Sequence, residues 1–133
     1  MARSSARMLI VDDDVSVREM FAWMLRDDGY AVRTAGSAAA ALDAVAEWQP
    51  HAILLDYRMP GMNGLGLLSC LRAQESTSRT PVAIITGDSD DGGFLSAECA
   101  KLGAKVYFKP LGLEELLDVA CSLLPSTKTT IHH

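Results

Sequence analysis

Met8-Leu-Ile-Val11 is apolar at every position, and Asp12, Asp13 and Asp14 follow it without a break. A strand with one face in water alternates apolar and polar residues. A short unbroken apolar run instead fits a strand covered on both faces, as in a parallel sheet. Four further runs recur along the chain: Tyr30-Ala-Val32, Ala52-Ile-Leu-Leu55, Val82-Ala-Ile-Ile85 and Val106-Tyr-Phe108. Between them the spacing is helical. Val17, Met20, Phe21 and Met24 share one face of the first intervening segment, with Arg18, Glu19 and Arg26 off it. Leu113, Leu116, Leu117, Ala120 and Leu124 do the same in the last, and Ser37 to Trp48 is alanine-rich and helix-favouring.

Local signals place the boundaries. Ser16-x-x-Glu19 can form a capping box, and Gly29 and Gly103 can end their helices in the left-handed conformation. Gly61, Gly64, Gly87, Gly92 and Gly93 punctuate the loops after the third and fourth runs. No two runs are close enough for a hairpin. The pattern predicts an α/β fold, (βα)5, in which right-handed crossovers wind helices onto both faces of a five-stranded parallel sheet.

A length of 133 residues fits one domain, with its core at about 8–124 and short polar tails at 1–7 and 125–133. With 49% hydrophobic residues the chain can bury a core without a disulfide or metal staple. A net charge of −5 excludes bulk affinity for nucleic acid or anionic lipid. No apolar stretch approaches the roughly 20 residues of a membrane span. Cys70, Cys99 and Cys121 are odd in number and share no CxxC spacing, so they read as reduced small hydrophobes and the expected compartment is the cytoplasm.

Ligands of an open parallel sheet bind beyond the carboxyl ends of its strands. There the first strand delivers Asp12, Asp13 and Asp14, the third Asp56, the fourth Thr86 and the fifth Lys109-Pro110; the second offers only Thr34 and Ala35. Two unit charges ~4 Å apart repel by ~4 kcal/mol at an effective dielectric near 20, so carboxylates crowded here need a cation. Lys109 is one. Oxygen donors suit a hard divalent ion such as Mg²⁺, and the absence of His and Cys from these strand ends disfavours zinc. A carboxylate, a hydroxyl, an ammonium and a metal pocket together describe phosphoryl transfer onto an aspartate. Asp56 is the candidate nucleophile, Asp12 and Asp13 the metal ligands, Lys109 and Thr86 the groups that meet the phosphoryl oxygens. Duller readings fit the remainder. Asp14 reads as a helix-proximal carboxylate, Asp88, Asp90 and Asp91 as a solvated acidic turn, Trp23 and Trp48 as packing residues, and Cys70 and His51 as structural.

These residues resemble the receiver domain of two-component response regulators, and the likeness runs from about Met8 to Leu124. Its carriers are Leu-Ile-Val-Asp12-Asp13-Asp14, Leu-Leu-Asp56-Tyr-Arg-Met-Pro60-Gly-Met-Asn-Gly64, Ile-Ile-Thr86-Gly and Phe-Lys109-Pro110. The resemblance implies a flavodoxin-like sheet of strand order 2-1-3-4-5. It also implies an Asp56 phosphorylated by a sensor histidine kinase or phosphotransfer protein, and Mg²⁺ held by Asp12, Asp13, Asp56 and the backbone carbonyl of Arg58. A cis Lys109-Pro110 bond, a downstream protein partner at the face of the fourth helix, fifth strand and fifth helix, and phosphorylation-dependent homodimers are further expectations. With no output domain in view, the chain reads either as a stand-alone docking protein or as the receiver of a longer regulator or hybrid kinase. One departure stands out: Val106 occupies the place, three before the lysine, where the family usually has an aromatic switch. Either Tyr107 serves instead or that switch is absent, and the second reading is favoured. Gly92 and Gly93, opening the fourth helix, weaken it.

Three rival functions are weaker. A flavin- or nucleotide-binding site would want glycines and hydroxyls after the first strand, where three aspartates repel a phosphate. An aspartyl-phosphate phosphohydrolase resembles Asp-x-Asp-x-Thr there, against Asp12-Asp-Asp-Val-Ser16. A degenerate receiver used only for docking would not need the intact residue set.

Overall fold

Five parallel strands pair in the order β2-β1-β3-β4-β5: β1 (Arg7–Val11), β2 (Ala31–Ala35), β3 (Ala52–Asp56), β4 (Val82–Thr86) and β5 (Lys105–Phe108). The computed structural model describes residues 6–87 and 93–124. Helices α1 (Val15–Asp27), α2 (Ala38–Trp48), α3 (Gly64–Ala73), α4 (Phe94–Lys101) and α5 (Leu113–Leu123) connect or follow the strands, with a short 3-10 turn at Glu75–Thr77. The expected doubly wound sheet and its strand order are both present.

Side chains alternate along each strand, so the two faces of the sheet build separate cores. Leu9, Val11, Ile53, Leu55 and Ile84 pack with α2, α3 and α4. Met8, Ile10, Leu54, Ala83 and Ile85 pack with α1 and α5. The three central strands are buried nearly throughout, which is why their sequences are continuous apolar runs. The same alternation decides the fate of the fifth strand. Val106 packs on the α2–α4 side and Tyr107 on the α1/α5 side. Tyr107 therefore faces away from the position that Val106 fills.

Several local expectations shift. β2 begins one residue later than the run at Tyr30 and extends to Ala35. Ser16-x-x-Glu19 does not cap α1. Asp14 does, its carboxylate accepting from the backbone N–H groups of Ser16 and Val17 at 2.9 and 3.3 Å. The buried stripe of α1 is Phe21, Ala22 and Leu25, while Met20 is exposed and Val17 and Met24 are only partly covered. In α5 the stripe is Leu116, Val119 and Ala120, and Leu113 is exposed. Gly64 is the first residue of α3, not a loop residue. Gly29 and Gly103 do take positive φ, as does Gly93 at the start of α4. Asp88, Asp90, Asp91, Gly92 and the tails at 1–5 and 125–133 lie outside the described residues.

Candidate functional site

Val11 is the last residue of β1, so the chain leaves the sheet at Asp12 and turns straight into α1. That turn is fixed from several directions. Asp12 N–H donates to the Ala35 carbonyl at 3.1 Å, and Asp14 N–H donates to Asp12 Oδ1 at 2.9 Å. The Arg18 guanidinium reaches back from α1 and donates through Nη1 to the Asp12 carbonyl at 3.0 Å. Gly36 leaves room for it, because a Cβ there would lie 2.9 Å from Arg18 Nη1. The sequence places Arg18 merely off the apolar face; the room for its contact comes from Gly36 in the β2–α2 turn, which no pattern around Arg18 reveals.

Asp56 ends β3 beside this turn. Oxygens of Asp12, Asp13 and Asp56 lie within 4.8 Å of one another. Asp12 and Asp56 are buried and Asp13 is exposed. Lys109, just past β5, spans two of the three: its Nζ is 3.2 Å from Asp12 Oδ2 and 3.1 Å from Asp56 Oδ1. The Lys109–Pro110 bond is cis. Asp14 stands apart as the α1 cap, a helix-proximal carboxylate. Thr86 is buried at the end of β4, and its carbonyl accepts from the Lys109 N–H at 2.8 Å.

Burial raises the Asp56 carboxyl from its ordinary 3.8 to about 6, helped by the charge of Asp12 and slightly by that of Asp13, with Lys109 opposing. Burial alone would lower Lys109, but the carboxylates of Asp56 and Asp12 outweigh it and raise the ammonium above its ordinary value. One ammonium among three carboxylates leaves the pocket short of positive charge. The donors are all oxygen, and exposed Asp13 borders a cleft of about 410 Å³ with Tyr57, Arg58, Met59, Pro60 and Asn63. Such a set suits a small hard cation that keeps part of its water shell.

The loop after Asp56 is held against the strand. Gly64 N–H donates to the Tyr57 carbonyl at 2.7 Å, and a Cβ at Gly64 would lie 2.7 Å from the Asp56 carbonyl oxygen and 2.9 Å from Tyr57 Cα. Backbone cannot yield as a side-chain tip does. Gly64→Ala is therefore expected to lower stability by about 1–3 kcal/mol, read as a lowered urea midpoint; an unchanged midpoint would show that the loop gives way freely.

A doubly wound α/β fold whose carboxyl edge gathers three aspartates, two of them in contact with one lysine, carries an oxygen-donor cluster that could hold a metal ion. Residues 8–120 match the response regulator receiver domain, and the chain belongs to that family. Its members are signalling switches of two-component systems, with phosphorylation and Mg²⁺ as general features. Among relatives, the sensory/regulatory protein RpfC of Xanthomonas campestris pv. campestris is 34% identical over 127 residues, which cover 93% of this chain and 17% of RpfC. The DNA-binding response regulator MtrA of Mycobacterium tuberculosis is 40% identical over 84 residues, 63% of this chain and 36% of MtrA. The chain thus spans well under half of either relative. Among solved structures, the chemotaxis response regulator CheY4 of Vibrio cholerae superposes with a TM-score of 0.81 at 31% identity, covering 90% of this chain and 98% of that one. The receiver domain of NtrX from Brucella abortus gives 0.80 at 31% identity, with the same coverage. Among the described residues, no helix is long and apolar enough to cross a membrane.

Proposed function

We propose that Asp56 is the phosphoacceptor of this receiver and that a histidine kinase or phosphotransfer protein is its donor. One observation carries the reading: Asp56, buried at the end of β3, lies within 4.8 Å of two further aspartates and 3.1 Å from Lys109. A carboxylate oxygen of Asp56 attacks the phosphorus of a phosphohistidine. The O–P bond forms as the N–P bond breaks, and the imidazole leaves with its electron pair. Lys109 follows the charge onto a phosphoryl oxygen, and the buried hydroxyl of Thr86 donates to another. Asp12, Asp13, Asp56 and the Arg58 backbone carbonyl are the groups that would hold Mg²⁺, which when bound neutralises phosphoryl charge as a Lewis acid.

The chain acts as a single receiver domain over 1–133, with its core at about 8–124, in the cytoplasm and without direct contact to nucleic acid. Its output passes to a protein partner through the face of α4, β5 and α5, and phosphorylated copies form homodimers. With valine at 106 and Tyr107 on the other face of the sheet, that output works without the usual aromatic switch.

Incubation with acetyl phosphate and Mg²⁺ is expected to add the mass of one phosphoryl group to the intact chain. The adduct should vanish in Asp56→Asn and persist in Asp14→Asn, whose side chain still caps α1. An adduct that survives in Asp56→Asn overturns the assignment.

A further inference from the structure

Cations gather at the opposite end of the sheet, beyond the amino ends of β4 and β5. Arg72 of α3, Arg79 ahead of β4 and Lys101 at the end of α4 line one cleft of about 390 Å³ with Ser78, Leu102 and Gly103. In a chain of net charge −5 this concentration runs against the average. Lys101 has an acidic partner, Glu98, at 2.9 Å. Arg72 and Arg79 have none among the described residues.

Arg72 is already oriented. Its Nε donates to the Leu102 carbonyl at 2.6 Å and its Nη1 to the Thr77 carbonyl at 3.0 Å. Nη2 makes no hydrogen bond among the described residues. Gly103, at φ +73, has no side chain to cover it; a Cβ there would come within 4.0 Å of Nη2. The guanidinium is thus held in place with donors to spare, so a ligand would not have to order it.

We propose that this cleft binds a small polyanion through its phosphates, a di- or triphosphate group. A guanidinium fork matches phosphate oxygens, and several cations around one cleft favour a ligand with more than one negative charge. The volume lies near the lower end of the roughly 300–1,000 Å³ seen for small-molecule sites. Among the described residues no aromatic side chain lines the cleft, so a nucleobase would have nothing there to stack on. The site is independent of the Asp56 reading. Because Arg72 ties α3 to the turn between α4 and β5 through Leu102, the bound anion would brace that turn from the end remote from Asp56.

The test is a titration of the ¹⁵N-labelled chain with inorganic triphosphate, without Mg²⁺ and at constant ionic strength. Saturable shifts are expected at the amides of Ser78, Leu102 and Gly103. Affinity should fall at least about tenfold in Arg79→Ala/Lys101→Ala, whose exposed positions leave the fold intact by circular dichroism. Glu98→Gln should tighten binding by freeing Lys101, and ATP should bind comparably to triphosphate. Shifts that do not saturate, that gather at Asp56 and Lys109, or that survive the double substitution unchanged would overturn the proposal. Much tighter binding of ATP would overturn recognition through phosphates alone.

Discussion

Asp56→Asn is expected to stabilise the fold at pH 7 in divalent-free buffer, by on the order of 1–3 kcal/mol, and to change it little at pH 4. The reason is the raised carboxyl, moved from 3.8 to about 6 first by burial and then by the charge of Asp12. An acid whose folded value is raised binds its proton more tightly in the native chain than in the unfolded one. The stability its protonation contributes is therefore complete below about pH 4 and is lost as pH climbs through about 6. Asparagine stays neutral throughout. Its substitution costs one ion pair to Lys109, but Lys109 keeps its second partner, Asp12, at 3.2 Å. Urea unfolding at both pH values with a chelator present measures the difference. Saturating Mg²⁺ should narrow the gap, since the ion restores to the wild-type pocket the charge it lacks. An Asp56→Asn chain no more stable than wild type at pH 7 would mean that the carboxylates do not crowd one another as the distances indicate.

The sheet was legible because its central strands are covered on both faces. Ala52-Ile-Leu-Leu55 and Val82-Ala-Ile-Ile85 have no polar residue to mislead, and both strands are buried throughout. Errors fall where the period is helical and the stripe narrow. Met20 and Leu113 continue an apolar pattern in sequence yet end in water, because α1 and α5 each press only three residues fully into the core. At the start of α1, Asp14 and Ser16 are both good capping residues, and it is the Asp14 carboxylate that takes the first backbone N–H groups. The candidate site was readable because strand ends in a parallel sheet share one edge, so Asp12, Asp56 and Lys109 meet whatever the loops do. Arg18 and Gly36 were not, since their pairing depends on how closely the β2–α2 turn approaches α1.

Lys109→Met is expected to cost about 2–4 kcal/mol at pH 7 without divalent ions, somewhat below the 3–5 typical of breaking a fully buried pair. The ammonium is partly exposed while both carboxylates it contacts are buried, so water recovers little of what its loss takes away. Asp12 and Asp56 are then left facing each other, and the Asp56 carboxyl moves higher than about 6. The loss should accordingly be largest above that value and shrink in acid as Asp56 takes up its proton. Magnesium offers a second handle. Lysine and metal compete for the same oxygens, so the variant should bind Mg²⁺ more tightly than wild type by calorimetry and regain much of its stability at millimolar Mg²⁺. Phosphorylation by acetyl phosphate should nonetheless slow by about 10²–10³-fold even with Mg²⁺ saturating, because Lys109 is the ammonium held 3.1 Å from Asp56, where charge moves onto the phosphoryl oxygens. Restored stability with lost reactivity would separate the two duties of Lys109, charge balance in the resting pocket and contact with the transferred group. A variant that reacts at the wild-type rate once Mg²⁺ is bound would confine the lysine to the first.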